Sequence, residues 1–301
     1  MVSPKFIGRG KELEQIGNLI KSSDTQVLCI EGAGGIGKTR LLTQIQEKYG
    51  SAANLHIGEI IDFDNPRYLL PDSIGQEIAQ QLGKAQFESY LTGLEDKRFL
   101  EKHKASPEYL ARQSRVIEEE FLNGYRKVAS ERRIVLRFDA TDNLRGLAAP
   151  LEYVALLANN LPNTCFIVAG RDSNRVLKML RTRKNAPILL SLRPLSKKER
   201  RDYLQEKLEQ KMMSLDKGMG EKLIFLSRGR IILLDMAVEW LFREGKLPWL
   251  RDLDPSLLIE ADSEEDEVNE KFESGLFDHV RNLHTDLDRL VLLLAKVHPL
   301  D

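Results

Sequence analysis

Residues 32–39, with the sequence GAGGIGKT, follow the spacing G-x-x-x-x-G-K-T. Glycines adopt backbone angles that let successive N–H groups point into one concavity, and a helix starting there adds partial positive charge. This chemistry binds nucleotide phosphates: Lys38 is expected to reach the β- and γ-phosphates, and Thr39 to ligate Mg²⁺. An accidental glycine-rich turn is the alternative. The predicted phosphate-binding residues are Gly32, Gly34, Gly35, Ile36, Gly37, Lys38, Thr39 and Arg40.

A second informative stretch is RIVLRFDATDNL, residues 133–144. Its apolar residues predict a buried strand that ends at Asp139, the place expected for a Walker B acid that holds Mg²⁺ together with Thr39. Asp142 follows three residues later and could orient or deprotonate the attacking water. The alternative is that Asp142 caps the following turn or helix, and the sequence leaves both open.

Arg171 stands at the tip of a further apolar run, residues 164–170. Ligands of open α/β sheets bind where the strands end, so an arginine there can reach the γ-phosphate and report its presence. A surface ion pair is the alternative interpretation. The predicted catalytic residues are therefore Lys38, Asp139, Asp142 and Arg171.

The elements that must position these residues alternate between strands and helices over residues 1–192, which predicts an α/β fold: a parallel sheet flanked by helices. An apolar strand precedes the glycine-rich loop, and Leu41 and Leu42 open an apolar helix face after it. Residues 97–127 are highly charged and predict a solvated helix packed on the sheet. The predicted strands cover residues 27–30, 55–63, 134–139, 164–170 and 188–192.

The pattern becomes purely helical from residue 193. Ser196 and Glu199 form a predicted capping box, and residues 193–250 are expected to be a helical lid domain. Residues 251–301 begin with an acidic linker and contain an amphipathic helix over 283–297. An apolar helix ending the sequence suggests that further domains of the same polypeptide follow residue 301.

Composition limits the classes of function. Of the 301 residues, 30% are charged and 42% hydrophobic, with a formal net charge of -1, which is typical of a soluble protein of about two domains and gives no global attraction to nucleic acid. No secretory signal or membrane span is predicted, so the expected location is the cytoplasm. Cys29 and Cys165 are expected to be reduced core residues. The histidines show no metal-ligand spacing, so Mg²⁺ bound with nucleotide is the one metal predicted.

The ordered set of motifs resembles the nucleotide-binding module of STAND NTPases, the signal-transduction relatives of AAA+ proteins that include NACHT and NB-ARC modules. The resemblance covers nearly the whole chain. It is carried by Phe6-Ile7-Gly8-Arg9 with Glu12, residues 32–39, Asp139-Ala140-Thr141-Asp142, Arg171, Pro194-Leu195-Ser196 and Gly229-Arg230-Ile231.

The resemblance implies ATP or ADP with Mg²⁺ as cofactors. It implies that Phe6, Ile7 and Arg9 border the adenine and ribose, and that Ile231 replaces a family proline that touches the base. Asn143 stands where an acid is common, so hydrolysis would be slow and would depend on Asp142. Residues 251–301 are similar to the approach to a winged-helix domain.

These features favour an ADP/ATP-dependent regulatory switch that opens on nucleotide exchange and then forms a homo-oligomer. The alternative is a DNA-handling ATPase similar to origin-recognition initiators, although the net charge and the acidic residues 260–270 argue against nucleic acid as a partner of this region. A scaffold that binds nucleotide without hydrolysing it is a third possibility, and a small-molecule kinase is disfavoured. Arg145, Arg181 and Arg183 are candidates for an arginine finger acting on a neighbouring subunit.

Overall fold

The computed structural model describes residues 6–144, 146–171, 173–181 and 186–244, together with residue 274. Within these residues one sheet of five parallel strands has the order β2-β3-β4-β1-β5. The predicted parallel α/β architecture is confirmed. The strands are Gln26–Glu31 (β1), Leu55–Asp62 (β2), Arg133–Asp139 (β3), Thr164–Gly170 (β4) and Ile188–Ser191 (β5).

The central strands are apolar because both faces of the sheet are covered. Every residue of β3 and of β4 is buried, as expected for a parallel sheet with helices on both sides. Because β3, β4 and β1 are parallel neighbours, their carboxyl ends lie along the same edge of the sheet. That edge therefore holds the start of the glycine-rich loop, Asp139 and Arg171.

The chain divides into two compact units. The first contains residues 11–31 and 38–191, and so the sheet. The second unit includes the helical segment of residues 197–244. The helices associated with the sheet are Gly10–Lys21 (α1), Lys38–Tyr49 (α2), Pro71–Leu82 (α3), Glu88–Lys102 (α4), Pro107–Glu131 (α5), Ala149–Asn160 (α6) and Ser173–Leu180 (α7).

The core of the sheet unit is built around stacked aromatic rings. Phe138 on β3 lies between Phe63 and Phe166, with ring centroids 6.1 and 6.5 Å away. All three side chains are buried, and aromatic side chains in such positions contribute several kcal/mol, about 3–5 for a truncation to alanine. Cys29 and Cys165 are buried, unpaired thiols of the same sheet, as predicted, and burial raises the pKa of each to about 12.

The second unit contains residues 6–10, residues 32–37 and the described residues from 192 onward. Its helices are Lys197–Gln210 (α8), Lys217–Leu226 (α9) and Ile231–Glu244 (α10). The predicted capping box is present: the amide of Glu199 donates to Ser196 Oγ at 3.3 Å, and the amide of Ser196 donates to a Glu199 carboxylate oxygen at 2.8 Å. Apolar residues from all three helices form a separate small core.

None of the helices in the described part of the chain is long and apolar enough to cross a lipid bilayer. The acidic segment 253–267, the helix expected over 283–297 and the predicted winged-helix approach lie outside the described residues, apart from residue 274. Arg145 and Arg183 also lie outside them, whereas Arg181 is an exposed residue directly after α7.

Candidate nucleotide-binding site

The glycine-rich loop joins β1 to the first residue of α2, as its sequence predicts. Gly35 and Gly37 have φ angles of 71° and 101°, a region that only glycine adopts without strain. α2 begins at Lys38, so the main-chain amides of its first turn, which have no partner within the helix, follow the loop directly. This is the local conformation that binds anions at helix amino termini.

Residues of the second unit contact the loop. Arg9, which is 7% exposed, donates from Nη2 to the carbonyl oxygen of Ile36 at 3.3 Å. The amide of Ile232, at the start of α10, donates to the carbonyl oxygen of Gly35 at 3.2 Å. A Cβ on Gly37 would lie 3.1 Å from Cδ1 of Ile231, so that side chain borders the loop.

Several predicted site residues are therefore brought together in this unit. Arg9 also lowers the pKa of Glu199 on α8, where the first cause is the hydrogen bond from Ser196. Phe6 and Ile7 are half-buried and immediately precede Gly8, whose φ of 71° turns the chain into α1. Whether these residues border a base and ribose stays a prediction.

A second group of predicted residues meets in the sheet unit. The Thr39 hydroxyl donates to Oδ2 of Asp139 at 2.5 Å, and the amide of Ala140 donates to Oδ1 at 2.8 Å. Asp139 is 3% exposed, and burial raises the pKa of its carboxyl, against the opposing effect of these two hydrogen bonds. A hydroxyl and a carboxylate are hard oxygen donors of the kind Mg²⁺ uses when substrate phosphates complete its shell, so the pair fits that ion.

Lys38 lies within electrostatic range of this group. Burial lowers the pKa of its ammonium, while the charges of Asp142 and Asp139 raise it and that of Arg171 lowers it. The four side chains predicted to act on phosphate thus form one cluster. An ammonium that has lost solvation is stabilised by an anionic ligand, which is the role predicted for this lysine.

A hydrogen bond and an ion pair connect Asp142 and Arg171. The Arg171 amide donates to Oδ1 of Asp142 at 2.5 Å, and Arg171 Nε lies 3.2 Å from Oδ2. Their side chains are 17% and 20% exposed. Arg171 is therefore in an ion pair, as its alternative interpretation expected, but this pair is half-buried at the ends of neighbouring strands, and a role at the γ-phosphate stays a prediction. Asp142 lies inside a short 3-10 helix, Thr141–Leu144, and its carboxylate contacts Arg171.

Other residues are placed away from this cluster or were missed by sequence reasoning. Arg40 points along α2 and pairs with Glu47 at 2.7 Å. The Asn143 amide donates to the carboxylate of Asp64, two residues after the end of β2. Arg137, inside an apolar run, was missed: its buried guanidinium donates to the carbonyl oxygens of Gly58 and Leu42, at 2.6 Å for the shortest bond to each. The sequence signal that could have identified it is a charged residue within a segment whose other residues are typical of a buried strand.

Comparison with known proteins agrees with this geometry. Residues 5–168 match the AAA ATPase domain family. No curated protein sequence matches the chain. The Walker-type ATPase of Pyrococcus abyssi is similar in structure, with a TM-score of 0.54 and 16% identity over 99% of this chain and 92% of that one.

Two further solved structures have the same fold. Cdc6p of Pyrobaculum aerophilum gives a TM-score of 0.52 and 14% identity, over 98% of this chain and 88% of that one. The ORC1 protein of Aeropyrum pernix, solved in complex with DNA, gives a TM-score of 0.52 and 14% identity, over 98% of this chain and 84% of that one. At such identities the likeness establishes the fold, that of a P-loop NTPase.

The family assignment is coarser than the resemblance drawn from the motifs. The match is to the AAA ATPase domain and not specifically to the STAND class, so the STAND assignment stays a prediction. The matched segment spans more than half of the chain and includes the glycine-rich loop, Asp139 and Asp142. The chain therefore belongs to the AAA ATPase domain family.

Proposed function

We propose that this chain binds ATP and ADP through residues 32–39 and hydrolyses ATP slowly, as the nucleotide-dependent switch of an AAA+ ATPase. The observation that carries the proposal is the hydrogen bond from Thr39 to Asp139, 2.5 Å long, directly after the glycine-rich loop. It brings the hydroxyl and the carboxylate expected to hold Mg²⁺ together beside a desolvated lysine.

The roles of the individual residues follow from their chemistry. The loop amides and Lys38 bind the β- and γ-phosphates, and Thr39 and Asp139 hold the metal. When bound, Mg²⁺ neutralises charge on the phosphate oxygens during transfer. Asn143 follows Asp142 in the sequence and donates its amide to Asp64. An amide does not take up a proton from water, which supports slow turnover.

Coupling of nucleotide to conformation is supported by the contacts of the second unit. The amide of Ile232 binds the carbonyl of Gly35, and Ile231 borders Gly37, so the first turn of α10 and the loop contact each other directly. A ligand shifts a conformational equilibrium only if it binds the two states differently. ADP is expected to favour the state with these contacts, and ATP a state that assembles into a homo-oligomer.

The partner on which the switch acts separates two candidate functions. Similarity to Cdc6p and to the DNA-bound ORC1 protein supports an initiator-like ATPase that acts on DNA, and this candidate comes first. The segments Asp139-Ala140-Thr141-Asp142 and Gly229-Arg230-Ile231 support a STAND-type signalling switch, as does the net charge of -1, which offers DNA no global attraction.

Two measurements test the proposal. The first identifies nucleotide that co-purifies with the protein and measures turnover: retained ADP and slow hydrolysis support a switch, whereas rapid multiple turnover by the monomer contradicts it. The second titrates DNA binding against salt with ATP or ADP present. Tight binding that falls steeply with salt supports the initiator-like function, and absence of binding at low salt favours the signalling switch.

A further inference from the structure

The carboxylate of Asp142 contacts a single residue, Arg171, through both of its oxygens. Its Oδ1 accepts the main-chain amide of Arg171 at 2.5 Å, and its Oδ2 lies 3.2 Å from Arg171 Nε. Among the described residues, no other hydrogen-bonding partner of Asp142 is present. Both oxygens are thus turned toward Arg171, an arrangement that fits a carboxylate that orients this arginine.

The same contact fixes the arginine. The guanidinium is planar and its five N–H groups point in fixed directions, so a carboxylate on Nε determines where the two terminal nitrogens point. Those terminal nitrogens make no hydrogen bond to any residue that the structure describes. These two nitrogens are the atoms with which an arginine makes bidentate hydrogen bonds to a phosphate.

The segment that carries Asp142 is itself tied to the end of β4. The Thr141 hydroxyl donates to the carbonyl oxygen of Ala169 at 3.2 Å, and a side chain on Gly170 would collide with that hydroxyl. The 3-10 helix after β3 and the tip of β4 therefore form one joined structure. Asp142 is held by this structure before any ligand arrives.

The pair lies where a terminal phosphate is expected. The charges of both Asp142 and Arg171 act on the ammonium of Lys38, the lysine expected to meet the β- and γ-phosphates. We propose that Asp142 is a positioning residue that aims Arg171 at the γ-phosphate, so that the preference of the site for ATP over ADP depends on it. This inference rests on the proposed nucleotide binding and replaces the role of proton acceptor considered for Asp142.

The test compares dissociation constants for ADP and for a non-hydrolysable ATP analogue, both with Mg²⁺, measured by calorimetry. Asp142→Ala and Arg171→Ala should each lower the preference for the analogue by about tenfold, the usual scale of one charge-assisted contact, with ADP affinity unchanged. Because one residue acts through the other, the double variant should lose no more than either single variant.

Asp142→Asn and Asp96→Asn control for folding and for loss of charge. The first keeps an acceptor for the Arg171 amide but not the charge beside Nε, and should show most of the loss. The second removes an exposed negative charge from α4 and should show none. Melting temperatures of all variants identify any that fail to fold.

Three outcomes would overturn the inference. An unchanged preference with lost hydrolysis in Asp142→Asn would make Asp142 the proton acceptor. An increased preference would mean that the carboxylate competes with phosphate for Arg171, and additive losses would mean that the two act independently. Failure of the wild-type protein to bind either nucleotide would overturn the proposed function itself.

Discussion

The hydroxyl of Thr39 and the carboxylate of Asp139 lie 2.5 Å apart although 100 residues of sequence separate them. Thr39 is in the first turn of α2 and Asp139 is the last residue of β3. Strand order makes this contact possible, because β3 and β1, the strand that leads to α2, both end at the same edge of the sheet. The contact defines the place where the phosphates and the metal are expected.

Asp139→Asn should stabilise the free protein and weaken its Mg²⁺-dependent function. Burial raises the pKa of Asp139 above its ordinary value of 3.8, so the ionised form disfavours folding. The loss of stability caused by ionising Asp139 is absent below pH 3.8. It grows as the pH rises from there through the raised pKa of the folded protein, and it is complete above that raised pKa. The melting temperature of the variant should therefore exceed that of the wild type at pH 7 and converge with it near pH 3.8.

The same substitution should remove the effect of Mg²⁺ on ATP binding, because an amide is a weaker ligand than a carboxylate for a hard cation. Thr39→Ser, which keeps the hydroxyl, is the matched control. Equal melting temperatures of Asp139→Asn and wild type at pH 7 would contradict the predicted gain in stability. ATP binding by Asp139→Asn that still depends on Mg²⁺ as in the wild type would contradict the role of Asp139 in holding the metal.

Ile232→Pro should speed the release of ADP. Proline lacks the N–H that Ile232 donates to Gly35, yet it is tolerated in the first turn of a helix, where Ile232 lies. Loss of a hydrogen bond worth about 1 kcal/mol predicts a dissociation rate about fivefold higher. Stopped-flow release of a fluorescent ADP measures it.

Ile232→Ala is the control for that experiment. It removes the same side chain but keeps the N–H that donates to Gly35, so release should stay near the wild-type rate. Equal acceleration in both variants would mean that loss of the side chain is responsible, and no acceleration in either would mean that the contact with Gly35 does not slow the release of ADP.

Arg137→Met should destabilise the sheet unit by about 2–4 kcal/mol, since it leaves the buried carbonyls of Gly58 and Leu42 without their donor. Methionine preserves most of the apolar stem, so the loss comes mainly from the missing hydrogen bonds. Urea denaturation gives the change in free energy of unfolding. Arg126→Met, on the exposed side of α5, should change it by less than about 0.5 kcal/mol.

Local patterns predict part of this architecture well. Residues 32–39 and the strand that ends at Asp139 are recognisable because each feature is formed by residues that are contiguous in the sequence. The break between α4 and α5 was not predicted within the charged segment 97–127, although Ser106 followed by proline is a helix-start signal and its hydroxyl does accept the amide of Tyr109.

Other features depend on the three-dimensional arrangement. The pairing of Asp142 with Arg171 requires β3 and β4 to be neighbours, which the sequence does not state. The contact from Ile232 uses a main-chain amide, and side-chain patterns carry no information about it. In the sequence, Arg137 only interrupts an apolar strand. Its role depends on the carbonyl oxygens of Gly58 and Leu42, which the fold brings to it.

Binding of phosphate by Lys38 is the property on which the proposed nucleotide switch depends most directly. Equilibrium dialysis of adenine nucleotide against Lys38→Ala, with Lys48→Ala at the exposed end of the same helix as control, measures this contribution. A loss of affinity of at least about tenfold in Lys38→Ala alone is expected, since a charge-assisted hydrogen bond contributes about 1.5–3 kcal/mol. Undiminished retention of nucleotide by Lys38→Ala would contradict the central claim.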